Sequence, residues 1–157
     1  MTAEVSRWVA SWPFPFTSRM AGDRIVAART AAEVRTAISY VITLRETGEF
    51  LGWIAASKDR GTSRRAMIGY WLAESAHGRG YMREAVPAAL ASAFPFLDVD
   101  VIEAGVQPEN ASSIAVLKGC GMDHVGERRI FAPSRDREEL CWMFELGAPT
   151  AGSRAQT

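Results

Sequence analysis

Gly78-Arg79-Gly80 is the stretch of this 157-residue chain whose residue types and spacing most directly suggest chemistry. It follows an apolar run ending near Leu72 and precedes residues with helical spacing, so it would open a helix. A helix start leaves backbone N–H groups without partners at the positive end of the macrodipole, which suits a phosphate. Two glycines would let such a ligand come close to that backbone. The alternative is a tight turn between strand and helix, with no ligand. Glu103 lies about 20 residues farther on, where the ribose-binding acid of a dinucleotide fold would sit. Three details speak against that fold. Arg83 occupies the third glycine position, residues 73–77 separate strand from glycines, and a hairpin precedes them where parallel strands would be needed. Cys120 and Cys141 have neither metal-ligand spacing nor a disulfide framework, so reduced thiols in a cytoplasmic protein are expected, and no metal.

The elements that must position these residues belong to one domain, because a chain of this length buries one substantial core. The 18 basic and 18 acidic side chains cancel. Global charge therefore predicts neither a nucleic-acid nor a membrane partner, and there is no run of about 18 apolar residues to span a bilayer. Residues 6–10 read as the end of a helix that Trp12-Pro13-Phe14-Pro15-Phe16 cannot continue. A helix restarts after Thr17 or Ser18 and runs to about Arg29, with Met20, Ile25 and Val26 as inward candidates. The aromatic loop between them is either a plug over the core or the wall of a substrate pocket.

Residues 36–44 and 50–56, with Glu46-Thr47-Gly48-Glu49 between them, predict a hairpin. The connection 58–65 carries Gly61 and four basic side chains and reads as a solvated loop or a binding patch. A strand over 66–72 follows, then a helix over about 84–94 that faces Val86, Leu90, Ala93 and Phe94 inward. Pro87 is costly if that helix begins near Gly80 and tolerable if it begins near Arg83. With a strand over 99–106 this makes a βαβ unit, hence a parallel pair. A short helix over 111–119 ends at Gly121, strands over 122–131 and 138–146 close the chain, and 147–157 reads as a disordered tail. Asn110 would cap the short helix.

Ile68-Gly69-Tyr70-Trp71-Leu72, then His77-Gly78-Arg79-Gly80-Tyr81-Met82 with Glu84-Ala85, and later Asn110-x-x-Ser113 with Leu117-Lys118-Gly119-Cys120-Gly121-Met122, resemble the GCN5-related N-acetyltransferase superfamily. Within it the chain is most similar to the branch containing ribosomal-protein alanine N-acetyltransferases, over roughly residues 5–146. The resemblance implies an α/β fold: a mixed, mostly antiparallel sheet with one splayed parallel pair and helices on both faces. It also implies acetyl-CoA as co-substrate and a primary amine as acceptor, either a protein N-terminus or a small molecule. The amides of Gly78, Arg79, Gly80, Tyr81, Met82 and Arg83 would hold the pyrophosphate. Freed backbone groups of Trp71, Leu72 and Ala73 would meet pantetheine, with Asn110 beside them. Ser113 would lie near the CoA sulfur and could protonate the departing thiolate, or be an ordinary first-turn residue. Glu103, on the strand bordering the wedge, is a candidate base or a solvent-facing carboxylate.

The family usually has glutamine or arginine where His77 stands, and glycine or alanine where Met82 stands, so Met82 is expected to narrow the approach to the loop. The family's opening strand and part of its first helix are expected to be missing. That would leave a sheet edge exposed beside residues 35–44 and invite a homodimer. A domain over 1–146 is thus expected to be an acetyltransferase, or else an acyl-CoA-binding module that no longer catalyses. Trp8, Trp12, Phe14, Phe16 and Trp53 are expected to line its acceptor pocket, and His124 has no evident partner.

Overall fold

In a computed structural model, residues 1–61 and 64–149 are described. Thr2 and Thr17 cap two N-terminal helices, α1 (Ala3–Ser6) and α2 (Ser18–Glu33), by accepting from Val5 N–H and Met20 N–H. Six strands follow in one sheet: β1 (Ala37–Thr43), β2 (Phe50–Lys58), β3 (Arg65–Leu72), β4 (Val101–Val106), β5 (Asp123–Ala132) and β6 (Arg137–Gly147), ordered β1-β2-β3-β4-β6-β5. Helix α3 (Tyr81–Leu97) crosses from β3 to β4, and α4 (Ala111–Gly119) from β4 to β5.

Among the described residues only β3 and β4 run parallel, and their register ends after three pairs, Arg65 with Val101, Ala66 with Ile102 and Met67 with Glu103. Beyond Met67, β3 stays paired with β2 as far as Leu72, while β4 stays paired with β6 through Val106. The two strands part between these commitments, and a wedge opens in the middle of the sheet.

One face of the sheet carries the main core. Ile54, Ala56, Ile68, Ile102, Ala104, Val106 and Phe144 alternate toward Val86, Leu90, Ala93, Phe94 and Leu97 of α3 and Leu117 of α4. The four inward positions expected on α3 are all buried. That helix begins at Tyr81, so Pro87 lies well inside it, as does Pro95, both on the exposed side. On the other face α1 and the loop after it bury Val5 and Trp12 against Trp71. Arg24 of α2 is tied to that loop, with its guanidinium 4.0 Å from the Trp12 ring and donating to the Ser11 carbonyl at 2.6 Å.

Two expectations need correction. Met20, Ile25 and Val26 point outward, because α2 instead rests on the small stripe of Ala21, Arg24, Ala28, Ala31 and Ala32. Its period is helical but its phase is set by alanine. The last strand also runs past the expected end at 146. Gly147 pairs with Val101, and Ala148 N–H donates to the Asp100 carbonyl. The rest of the expected tail, 150–157, is outside the described residues. In the basic connection, Arg64 pairs with Asp98 and Asp100, and Arg65 with Glu103 and Glu145, so these two side chains fasten the βαβ unit.

Candidate active site

A cleft of about 870 Å³ runs through the wedge and out across the face covered by α1. Its inner end is the glycine loop. Gly78 and Gly80 have φ of +73° and +79°, a left-handed backbone that glycine adopts without strain. This geometry turns the chain into α3 with no side-chain cap. Among the described residues, the amides of Gly78 through Arg83 find no acceptor, and the first bond of the turn is Glu84 N–H to the Gly80 carbonyl. These N–H groups lie at the positive end of α3, and Gly78, Gly80, Tyr81, Met82 and Arg83 line the cleft. Met82 does not narrow them. Its side chain is 7 % exposed and belongs to the core beneath the helix.

The wedge wall is backbone. Ala73 N–H donates to the Leu51 carbonyl at 2.7 Å, so by the alternation of an antiparallel ladder the peptide groups of Tyr70 and Leu72 turn away from β2 toward the gap. The Leu72 carbonyl accepts from His77 Nε2 at 3.1 Å, which makes His77 a brace between loop and strand. Across the gap, Asn110 Oδ1 caps α4 by accepting from Ser113 N–H at 3.2 Å, and it also accepts from Ser112 Oγ. Ser113 lies in the first turn with its hydroxyl oxygen 2.9 Å from that of Tyr70. Both line the cleft. Burial drives the Tyr70 phenol far above its ordinary titration range, so it is protonated.

The outer end is aromatic and acidic. Trp12 lies against Phe16, Trp53 and Trp71 with ring centroids 4.9, 5.7 and 4.9 Å away. It is both plug and wall, because the same ring closes the core and lines the cleft. Trp8, Trp53 and Trp71 line it too, whereas Phe16 stands behind Trp12 and Phe14 points outward, so neither belongs to the pocket as expected. The Trp71 indole N–H is buried without an acceptor among the described residues.

Glu139 faces the same space and was invisible to local pattern. It accepts from Arg135, Arg137 and Gln107, and the Arg135 guanidinium draws its carboxyl down to about 2. Arg135 also donates to the carbonyls of Ser6 and Val9, clamping the N-terminal segment onto the β5–β6 turn. A contact spanning well over a hundred residues leaves no signal in short-range spacing.

Glu103, the candidate base, lies outside this cleft. It sits at the closed end of the wedge in a separate hollow, its two oxygens accepting from Arg65 at 3.1 Å and Arg128 at 2.6 Å. Strand alternation explains this, because Ile102 and Ala104 face the helices and Glu103 must face the other way. Neither cysteine is in a disulfide, no metal-ligand cluster occurs among the described residues, and no helix there is long and apolar enough to cross a membrane. His124, which had no evident partner, lies against the rings of Trp142 and Phe144.

A sequence-family model described as the acetyltransferase (GNAT) domain matches residues 1–123. The uncharacterized N-acetyltransferase p20 of Bacillus licheniformis is 30 % identical over 143 residues, covering 91 % of this chain and 80 % of that protein. Mycobacterium smegmatis RimJ, solved in complex with CoA-disulfide, has a TM-score of 0.76 at 25 % identity, over 92 % of this chain and 71 % of its own. A variant of the spermidine N-acetyltransferase SpeG from Vibrio cholerae shares the fold with a TM-score of 0.63 at 17 % identity, over 82 % and 76 % of the two chains.

Proposed function

This chain belongs to the acetyltransferase (GNAT) family, and we propose that its cleft binds acetyl-CoA at the glycine loop and passes the acetyl group to a primary amine entering from the aromatic end. The observation that carries this reading is the glycine-turned start of α3, whose leading amides have no acceptor among the described residues, beside a sheet that parts. Those amides and the α3 dipole suit a pyrophosphate. Pantetheine would then run along the Tyr70 and Leu72 peptide groups, with the Asn110 amide nitrogen opposite, since only the Asn110 oxygen is committed to its cap.

In that pose the thioester carbonyl lies near the free Leu72 N–H, which would stabilise the charge that develops on its oxygen. The amine attacks, the C–S bond breaks, and Ser113 donates a hydrogen bond to the departing thiolate. A neutral amine loses one proton to water and the thiolate takes one from water, so this step balances, and an acceptor arriving as an ammonium ion first gives up one further proton to solvent. The side chains of the cleft that could take a proton are engaged, Glu4 with Arg7, His77 with the Leu72 carbonyl and Glu139 with Arg135. Glu139 is held too acidic and Glu103 is elsewhere, so the amine sheds its proton to water in the open cleft.

The acceptor is a protein N-terminus or a small-molecule amine, drawn in by the Glu4 and Glu139 carboxylates and the tryptophan faces. Calorimetry with acetyl-CoA tests the donor site. Thiol release during a screen of spermidine and of peptides beginning with Ala or Ser tests transfer. Micromolar acetyl-CoA binding with release above the no-amine rate is expected. Binding without release by any amine would make the protein a binding module, and absence of binding would overturn the reading.

A further inference from the structure

Tyr70 takes no direct part in the transfer step, yet it is a hydroxyl in the wall of the wedge within hydrogen-bond distance of Ser113. It rises from β3 where β4 has already left, and its oxygen reaches across the gap to the first turn of α4, 2.9 Å from Ser113 Oγ. Its next acceptor is the Ser113 carbonyl, at a long 3.4 Å. A phenol has one hydrogen to give. If it goes to Ser113 Oγ, the serine hydroxyl is fixed in rotation and its own hydrogen must point elsewhere, and the cleft is the open direction.

We infer that Tyr70 is a positioning residue for acetyl transfer: by donating to Ser113 Oγ it holds the serine hydrogen toward the sulfur of the leaving CoA. This rests on the acetyl-CoA reading of the cleft. A thiolate can only accept, so the chain of donors runs one way, from Tyr70 to Ser113 to sulfur, and strengthens along its length. Tyr70 keeps its proton throughout, because burial disfavours the phenolate. Among the described residues, Cys120 is the titratable group that acts on it electrostatically, alongside the hydrogen bond with Ser113, and burial keeps that thiol neutral as well. The pair also ties β3 to the first turn of α4, the helix that follows β4, across the gap between the diverging strands.

The test compares CoA with S-methyl-CoA by calorimetry from pH 7 to 10, in the wild-type protein, Tyr70→Phe, Ser113→Ala and the double variant, with circular dichroism and melting curves confirming that each is folded. Only CoA can ionise. A donor at the sulfur lowers the bound thiol's pKa, so the preference for CoA over S-methyl-CoA should grow with pH, by about tenfold if that pKa falls by one. Tyr70→Phe should cut that growth to about threefold or less, Ser113→Ala should abolish it, and the double variant should match Ser113→Ala. With any amine accepted in the screen, Tyr70→Phe should lower kcat about fivefold, the worth of one hydrogen bond, with the KM for acetyl-CoA unchanged. Wild-type growth in Tyr70→Phe, or additive losses in the double variant, would overturn the role of Tyr70 alone. No growth in the wild-type protein would overturn the serine donor and Tyr70 with it. No binding of either ligand would overturn the acetyl-CoA site itself.

Discussion

Glu139 joins the acceptor end of the cleft to the stability of the protein. Its carboxyl is 12 % exposed and accepts from Arg135, Arg137 and Gln107, and its pKa falls from an ordinary 4.5 to about 2. A depressed acid contributes stability that is fully present above its unfolded pKa and is lost as pH falls through its folded one. Melting temperature should therefore drop between pH 4.5 and 2 as Glu139 protonates and loosens its hold on Arg135, whose guanidinium clamps Ser6 and Val9, and Glu139→Gln should shrink that acid limb. Arg135→Ala removes the donor side of the clamp and should cost about 1.5–3 kcal/mol, measured by urea denaturation at pH 7. Catalysis should also rise with pH, but over a higher range. With water as the proton acceptor, kcat/KM should rise with pH until the acceptor amine is itself deprotonated, near about 8 for an α-amine and about 10.4 for a lysine-like amine. A plateau well below the acceptor's own pKa would reveal a base. At this scale the sequence was legible where chemistry is local. Asn110 caps α4, and Ser113 stands three residues on. It was illegible where partners are distant, as for Glu139 with Arg135 and the N-terminal carbonyls, and ambiguous for Glu103, whose strand was readable but whose face was not.

The elements that build the wedge meet at two kinds of glycine. Gly80 has open space where a Cβ would go, so Gly80→Ala is penalised only by its positive φ, about 1–2 kcal/mol. If the amides need that backbone, the Kd for acetyl-CoA should rise about 5- to 30-fold in calorimetry, with the fold intact. Gly52 is the reverse case. A Cβ there would stand 2.2 Å from the Trp71 carbonyl oxygen and 3.0 Å from Leu72 Cα, both backbone atoms of the β3 segment that walls the wedge. Gly52→Ala should destabilise the protein by about 1–3 kcal/mol in thermal or chemical denaturation. The hairpin, the βαβ unit and the short capped helix were readable because each follows from turn residues and apolar period. The phase of α2 was not, because alanine carries little hydrophobic contrast and the larger Ile25 and Val26 drew the expectation to the wrong side.

For the whole molecule, β1 ends the sheet with no partner strand among the described residues on its outer side. Val41, 53 % exposed, lies on it, with Phe50, Val34, Ile25 and Val26 also exposed nearby in the chain. An unpaired, apolar edge favours association between copies, so the apparent mass in light scattering should rise with concentration, and Val41→Lys should lower it. The edge position was foreseeable from the order of strands, whereas the closing of the cleft by the N-terminal segment depended on contacts between the two ends of the chain. Those contacts concentrate the tryptophans. Trp8, Trp12, Trp53 and Trp71, four of the five in the sequence, line the cleft, and the fifth, Trp142, is held on β6 by its bond to Glu127. The ultraviolet emission of this protein is thus largely emission from its cleft. An incoming amine or thioester should change its colour and intensity, and a Trp142→Phe protein should report the same change against a darker background.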